Sequence, residues 1–358
     1  MKIILIAGAR PNFMKIAPLM DAIKKHPSIQ PVLVHTGQHY DEKMSGLFFH
    51  ELGIPEPDVN LEVGSGSHAV QTAEIMTRFE PVLLDHRPDC VLVVGDVNST
   101  IACGLVAVKL GVRLIHVEAG LRSFDRDMPE EINRILTDSI SDILFCSESS
   151  GVDNLLKEGV SKEKIHLVGN VMIDTLLRHR DKAENSRILD DLQLGEKKFA
   201  VTTLHRPSNV DDRVTLTRIV SVLQTIGRDI PVVFPIHPRT RQRLEIWNIK
   251  ADPERIRFID PLGYLDFLKL VGSAAVVLTD SGGIQEETTI LKVPCLTLRE
   301  NTERPCTVEL GSNQLVGTDP EKILAAYKAV LDGKVKVGEV PPLWDGNAAE
   351  RIVAAISK

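Results

Sequence analysis

Short apolar runs rich in β-branched residues alternate with longer segments of helical period along this chain, from its first residues to its last. Strand runs are expected at 2–7, 31–36, 90–95, 113–118, 143–146 and 165–169. A second series is expected at 199–204, 231–236, 256–259, 275–279 and 294–298. Helix-like segments such as 15–25, 69–84, 100–110 and 214–226 lie between them. Strand followed by helix, repeated, predicts parallel sheets joined by right-handed crossovers. Aromatic residues make up only 4% of the chain, so the cores must be built from Val, Ile, Leu and Ala, as in parallel strands covered on both faces. A chain of 358 residues is long enough for two such domains. A polar, charged helix is expected across 179–194, separating the two strand series, and the boundary is expected close to 172/173. The segment 345–358 reads as a helix after Pro341-Pro342 and is expected to return to the first domain, leaving 173–344 as the second.

The formal charge is -7, which excludes a global basic field for nucleic acid. An anionic ligand would therefore need local cations and backbone N–H groups. No apolar run reaches the length of roughly 20 residues that a membrane helix needs. The five cysteines form no C-x-x-C pair, and buried thiols in a reducing, cytoplasmic setting are expected.

Many strands run directly into turn residues that carry a polar group, and in open α/β sheets ligands bind outside the carboxyl ends of the strands. Asp280-Ser281-Gly282-Gly283 follows a strand and opens a helix that carries Glu287. Such a helix start suits a diphosphate, with Glu287 placed for ribose hydroxyls. The same pattern suits a simple capped helix with Ser281 as N-cap. Arg10 and Lys15 follow the first strand and suit phosphates, although for either residue alone an ordinary surface position is the commoner case. Glu118 ends an apolar strand and is costly to bury alone, with Arg122 as a candidate partner. Asp96 ends another strand. Pro129-Glu130-Glu131 fits a helix start as well as catalysis. His205 stands at the end of the first strand of the second series. Asp125-x-Asp127 is similar to a metal-binding pair, but no His or Cys cluster accompanies it, and no metal is expected. Neither a Walker loop nor a G-x-G-x-x-G is present, so ATP and NAD gain no support.

Taken together, Gly-x-Arg-Pro with Lys15, Gly-Asp-x-x-Ser-Thr (95–100), His-Val-Glu-Ala-Gly-Leu-Arg (116–122), Pro-Glu-Glu-x-Asn-Arg (129–134), His205-Arg206, Asp-Ser-Gly-Gly-x-Gln-Glu-Glu (280–287) and Thr-Glu-Arg-Pro (302–305) occur in order. This set resembles the non-hydrolysing UDP-N-acetylglucosamine 2-epimerases. The resemblance implies a GT-B fold, two Rossmann-like doubly wound parallel-sheet domains facing across a cleft. It also implies interconversion of UDP-N-acetylglucosamine and UDP-N-acetylmannosamine for polysaccharide synthesis, no cofactor, and a homodimer. By position, Arg10, His205, Ser281, Gly282 and Gly283 would hold the diphosphate and Glu287 the ribose. Lys15, Asp96, Glu118, Glu130 and Arg134 would surround the sugar, with Asp96, Glu118, Glu130 and His205 as the acid/base candidates. Gln38, His39 and His237 resemble positions of a second, activating UDP-sugar site. Asn12, Ser208 and Cys306 stand where the family often has Glu. A glycosyltransferase on the same scaffold, a C2-epimerase of a diacetamido uronic acid derivative and a non-catalytic sugar-nucleotide sensor are the alternatives.

Overall fold

The computed structural model describes residues 1–37, 51–336 and 338–357. Two compact units emerge: Met1–Arg178 with Pro342–Lys358, and His179–Pro341.

In the first unit β1 (Lys2–Ala7), β2 (Gln30–His35), β3 (Val59–Asn60), β4 (Cys90–Val94), β5 (Arg113–Val117), β6 (Ile143–Cys146) and β7 (Ile165–Leu167) form one sheet in the order β3-β2-β1-β4-β5-β6-β7. Its ladders are parallel: Lys2–Ala7 run in register with Gln30–His35 on one side, and Ile3–Leu5 with Cys90–Leu92 on the other. In the second unit β8 (Ala200–Thr203), β9 (Val232–Pro235), β10 (Ile256–Ile259), β11 (Val276–Thr279), β12 (Cys295–Thr297) and β13 (Asn313–Leu315) give β10-β9-β8-β11-β12-β13, again parallel. Both orders reverse direction at the first strand of their unit. The switch points therefore lie between β1 and β4 and between β8 and β11, where such sheets hold their ligands.

Period-two alternation explains why these runs are apolar throughout. Ala200, Val232, Phe234, Val276 and Leu278 enter one core of the second unit. The intervening Val201, Val233 and Val277 enter the core on the opposite face. Ile4, Ile6, Val32, Val34, Val91 and Val93 likewise share one face of the first sheet with Ile75, Phe79 and Ala102 from the covering helices His68–His86 and Asn98–Lys109.

The terminal helix Ala348–Ile356 belongs to the first unit. Its first N–H groups, Ala348 and Ala349, donate to the buried Asp174 carboxylate at 3.1 and 2.7 Å. An anion at a helix N-terminus satisfies donors that have no intrahelical partner. Burial pushes the Asp174 carboxyl up, against those two hydrogen bonds. Trp344 donates from Nε1 to the Ser147 carbonyl at 2.9 Å, and Arg351 to that of Val168 at 3.0 Å.

The strand runs were legible, with ends shifted by a residue or two. Two strands escaped the sequence reading. Val59–Asn60 and Asn313–Leu315 are two and three residues long and lack an apolar run. The helix expected across 179–194 is instead Val171–Ala183 followed by a short turn of helix, Ile188–Asp191.

Candidate active site

At the switch point of the first unit, β1 ends in a turn that enters the helix Arg10–Lys24, with Pro11 in its first turn. The buried Asn12 side chain laces this turn to the next strand. Its Oδ1 accepts from the N–H groups of Gly8 and Ala9 at 3.1 and 3.0 Å, and its Nδ2 donates to the Val94 carbonyl at 3.1 Å. A carboxylate could accept the first two bonds but has no hydrogen for the third. The Asn in place of the family's frequent Glu thus has a structural reason in this chain.

Lys15, one turn further on, reaches Glu118, and both side chains are buried. Glu118 follows β5 directly and has a positive φ of 74°. Left-handed backbone is costly for a non-glycine residue and clusters at functional sites. Arg122, the candidate partner for Glu118 in the sequence, pairs elsewhere. Arg122 donates to Asp138 (2.7 Å) and to Glu158 through Nε and Nη2 (2.8 and 2.7 Å). Three residues of irregular chain, with left-handed backbone at Glu118 and Gly120, separate the two side chains, so strand or helix spacing does not apply.

Gly95 closes the same corner from β4. Its φ is 66°, where glycine is favoured, and a Cβ there would lie 2.8 Å from Lys15 Nζ and displace the ammonium. Asp96 follows and accepts from Arg134 Nε at 3.0 Å. Asn133 donates to the Asp96 carbonyl at 2.9 Å. Both partners come from the helix Pro129–Ile140, whose first residue is the expected Pro at N1. Of its two leading glutamates, Glu130 is half-buried, while Glu131 is buried and pairs with Arg134. Glu131 also accepts from the N–H groups of Ser123 and Phe124, each at 2.9 Å. It fixes the preceding loop and was missed because adjacent glutamates at a helix start look alike in sequence. Asp125 accepts from the Asp127 N–H at 3.1 Å, which gives the Asp-x-Asp pattern a turn-forming role.

Behind Gly95, the buried His116 makes close contacts with the Gly95 carbonyl (Nε2, 2.8 Å) and Asp138 (Nδ1, 2.6 Å). Burial pushes the Asp138 carboxyl up, but the charge and hydrogen bond of His116, with Arg122, hold it below the usual carboxylate range.

In the second unit His205 lies two residues past the end of β8 and Asp280 directly follows β11, strands that pair in register Val276–Thr279 with Ala200–Thr203. Asp280 is fully buried. It accepts from the N–H groups of His205 (3.1 Å) and Arg206 (3.0 Å), from Asn209 Nδ2 (3.2 Å), and faces His205 Nδ1 at 3.0 Å. Burial alone would raise its carboxyl, but the His205 charge and these bonds hold it below the ordinary range.

The helix Gly282–Leu291 begins after Ser281, whose side chain makes no capping hydrogen bond. No acidic residue occupies its first turn, so the helix start keeps its partial positive character for an anion. A Cβ on Gly282 would lie 2.7 Å from Arg304 Nη1. Glycine here lets a guanidinium pack against the helix start. Arg304 bonds Glu286 at 2.5 Å and Glu303 at 2.6 Å, and Glu303 also takes Arg299 at 2.8 Å. Glu287 is buried on the same helix. Burial pushes its carboxyl up to about 8, the Glu286 charge adds to this, and a Tyr264 hydrogen bond opposes it.

Asp96, Glu118, Lys15 and Arg134 are thus brought together in the first unit, and His205, Ser281, Gly282, Gly283 and Glu287 lie on the strand ends and helix of the second. Arg10 opens the first helix. His237 caps Pro238–Ile246, its Nδ1 accepting from the Arg239 N–H at 3.2 Å, with its ring 6.5 Å from that of His205. Gln38 and His39 lie outside the described residues. Among the described residues no helix is long and apolar enough to cross a membrane.

The comparisons with known proteins agree with this architecture. The crystal structure of a Methanocaldococcus jannaschii UDP-GlcNAc 2-epimerase in complex with UDP-GlcNAc and UDP matches with a TM-score of 0.93 and 44% identity, covering 100% of this chain and 99% of that one. The fold is therefore GT-B, two doubly wound parallel sheets with flanking helices. The family model for UDP-N-acetylglucosamine 2-epimerase matches residues 21–357. A UDP-N-acetylglucosamine 2-epimerase of M. jannaschii is 45% identical over 365 residues, 100% of this chain and 99% of the relative. The UDP-2,3-diacetamido-2,3-dideoxy-D-glucuronate 2-epimerase of Pseudomonas aeruginosa is 43% identical over 361 residues, the full length of both. The chain belongs to the UDP-N-acetylglucosamine 2-epimerase family.

Proposed function

We propose that the chain inverts C2 of UDP-N-acetylglucosamine, giving UDP-N-acetylmannosamine reversibly and without a nicotinamide cofactor. The observation that carries this reading is the buried charge at the switch point of the first unit. Lys15 with Glu118, and Arg134 with Asp96 and Glu131, are costly to bury and are more than mere anion binding needs.

The C2 hydrogen of the sugar is not acidic, since no carbonyl adjoins it. In the proposed route UDP leaves C1, its charge stabilised by Arg10, His205 and the N–H groups of the Ser281–Gly283 helix start, while Glu287 holds the ribose. Nearby carboxylates stabilise the developing oxocarbenium, which acidifies the C2 hydrogen. One of Asp96, Glu118 and Glu130 removes that proton, giving a glycal. A group on the other face then returns a proton to C2 as UDP re-adds to C1. Lys15 and Arg134 keep the acidic cluster close to neutral and hold its geometry.

The P. aeruginosa relative, of equal length and nearly equal identity, supports a second reading with the same chemistry on a diacetamido uronic acid derivative. Comparison of kcat/KM for the two UDP-sugars, with no acceptor added, separates them. The first reading predicts turnover of UDP-N-acetylglucosamine at the higher efficiency. Turnover only when an acceptor sugar is supplied would instead indicate a glycosyltransferase. A dimer, and activation by a second UDP-sugar near His237, belong to the same proposal.

A further inference from the structure

Asp280 has a place in the structure that capping and strand pairing do not account for. Its carboxylate has no exposed surface, while the His205 side chain that it faces is 43% exposed. Asp280 directly follows β11 and His205 stands two residues past the paired strand β8, and the Asp280 N–H donates to the Thr203 carbonyl at 3.4 Å, which ties the two strand exits together. A carboxylate held below its usual range is an acceptor only. His205 Nδ1, 3.0 Å away, must therefore carry the hydrogen of that contact. The remaining ring atom, Nε2, is then left as the one that can gain or lose a proton.

We propose that Asp280 is a positioning residue that holds His205 with Nδ1 protonated, so that Nε2–H can donate to the departing phosphate and accept the proton back. The kinetic part rests on the epimerase reading above. Its logic is that of a histidine oriented by a buried carboxylate, the histidine touching the reacting group and the carboxylate only the histidine. The other bonds of Asp280 serve the same end. They fix the main chain at His205 and Arg206, and Asn209 braces the carboxylate while its own Nδ2 also reaches the Leu298 carbonyl at 2.9 Å. The neighbouring charged or titratable groups are Arg206, which reaches Glu303, and His237. His237 Nδ1 is already an acceptor for the Arg239 N–H, so it does not compete for Asp280.

Two measurements test this. The first is nitrogen NMR of the full-length wild-type protein, with the His205 signals assigned by their loss in His205→Gln. Nδ1 should carry a proton at every pH at which the protein is folded, and a neutral ring protonated only at Nε2 would overturn the proposal. The second is a kinetic cycle of Asp280→Asn, His205→Gln and the double variant. Asp280→Asn should lower kcat by about 10–100-fold, part of the ~10²–10⁴ that a positioned acid–base group supplies. UDP affinity should fall less. In the His205→Gln background the same change should have almost no further effect on kcat. An equal loss of kcat in both backgrounds would show Asp280 to be a structural brace and overturn the proposal. If Asp280→Asn does not fold, the wild-type spectrum decides. If the wild type does not epimerise, the epimerase reading fails, and the spectrum still decides whether the dyad exists.

Discussion

Replacing Lys15 by Met should damage the first unit far more than loss of a surface charge would. Methionine keeps most of the apolar stem that packs in the helix Arg10–Lys24, so the main change is the missing ammonium. The Lys15 and Glu118 side chains are only 7% and 4% exposed. Removing one partner of such a pair leaves an uncompensated buried charge, at a cost of about 3–5 kcal/mol. For a unit of about 150–250 residues, at about 2–4 °C per kcal/mol, that lowers the midpoint by roughly 6–20 °C. An exposed pair would give about 0.2–1 kcal/mol. The double variant Lys15→Met/Glu118→Gln removes both charges and should regain most of the loss, because neutral groups of similar shape leave nothing ionised to bury. The two units need not unfold together, so a local probe is required. The chain has two tryptophans, Trp344 in the first unit and Trp247 in the second, so fluorescence in a Trp247→Phe background reports the first unit. A loss below about 1 kcal/mol, or single losses that simply add in the double variant, would refute the reasoning.

Other consequences are testable in the same protein. Glu287, pushed up to about 8 by burial, binds its proton in the folded unit at pH values where the unfolded chain has released it. The contribution of Glu287 to the stability of the ligand-free second unit should therefore be fully present below the ordinary glutamate value of 4.5 and be lost as pH rises through about 8. Unfolding of Glu287→Gln across that range should show a flatter pH dependence, and an unchanged slope would count against this reading. Asp174→Ala should cost about 1–2 kcal/mol, as for loss of a helix cap, and should speed amide exchange first in Ala348–Ile356. Arg134→Lys loses the fork that reaches both Asp96 and Glu131. Turnover should fall at least about tenfold, or about 1.4 kcal/mol in the barrier, with UDP binding nearly unchanged. Equal losses in both would assign Arg134 to the nucleotide.

How much of this was legible in the sequence depends on the kind of information each feature needs. Apolar runs such as 2–7 and 276–279 mark buried parallel strands because both faces of each are covered, and the turns at the carboxyl ends of such strands carry Asp96, Glu118, His205 and Asp280. Strands of two or three residues with no apolar run, Val59–Asn60 and Asn313–Leu315, owe their state to the neighbouring ladder and leave no local pattern. Pairing was the weakest inference. Glu118 reaches back across more than 100 residues to Lys15, not forward to Arg122, because left-handed turns at Glu118 and Gly120 break any regular spacing. Glu131 could not be told from Glu130 without the loop that it braces. Asp280 read as a part of a glycine-rich turn, and only strand register shows that it faces His205.

The most direct test of the account is proton NMR of the protein with UDP-N-acetylglucosamine alone in deuterated water. Proton loss and return at C2 predict UDP-N-acetylmannosamine carrying deuterium at that carbon, with label also entering the recovered substrate. Epimerised product that keeps its original C2 hydrogen would contradict the elimination route, and no epimerisation of either UDP-sugar would contradict the proposed activity itself.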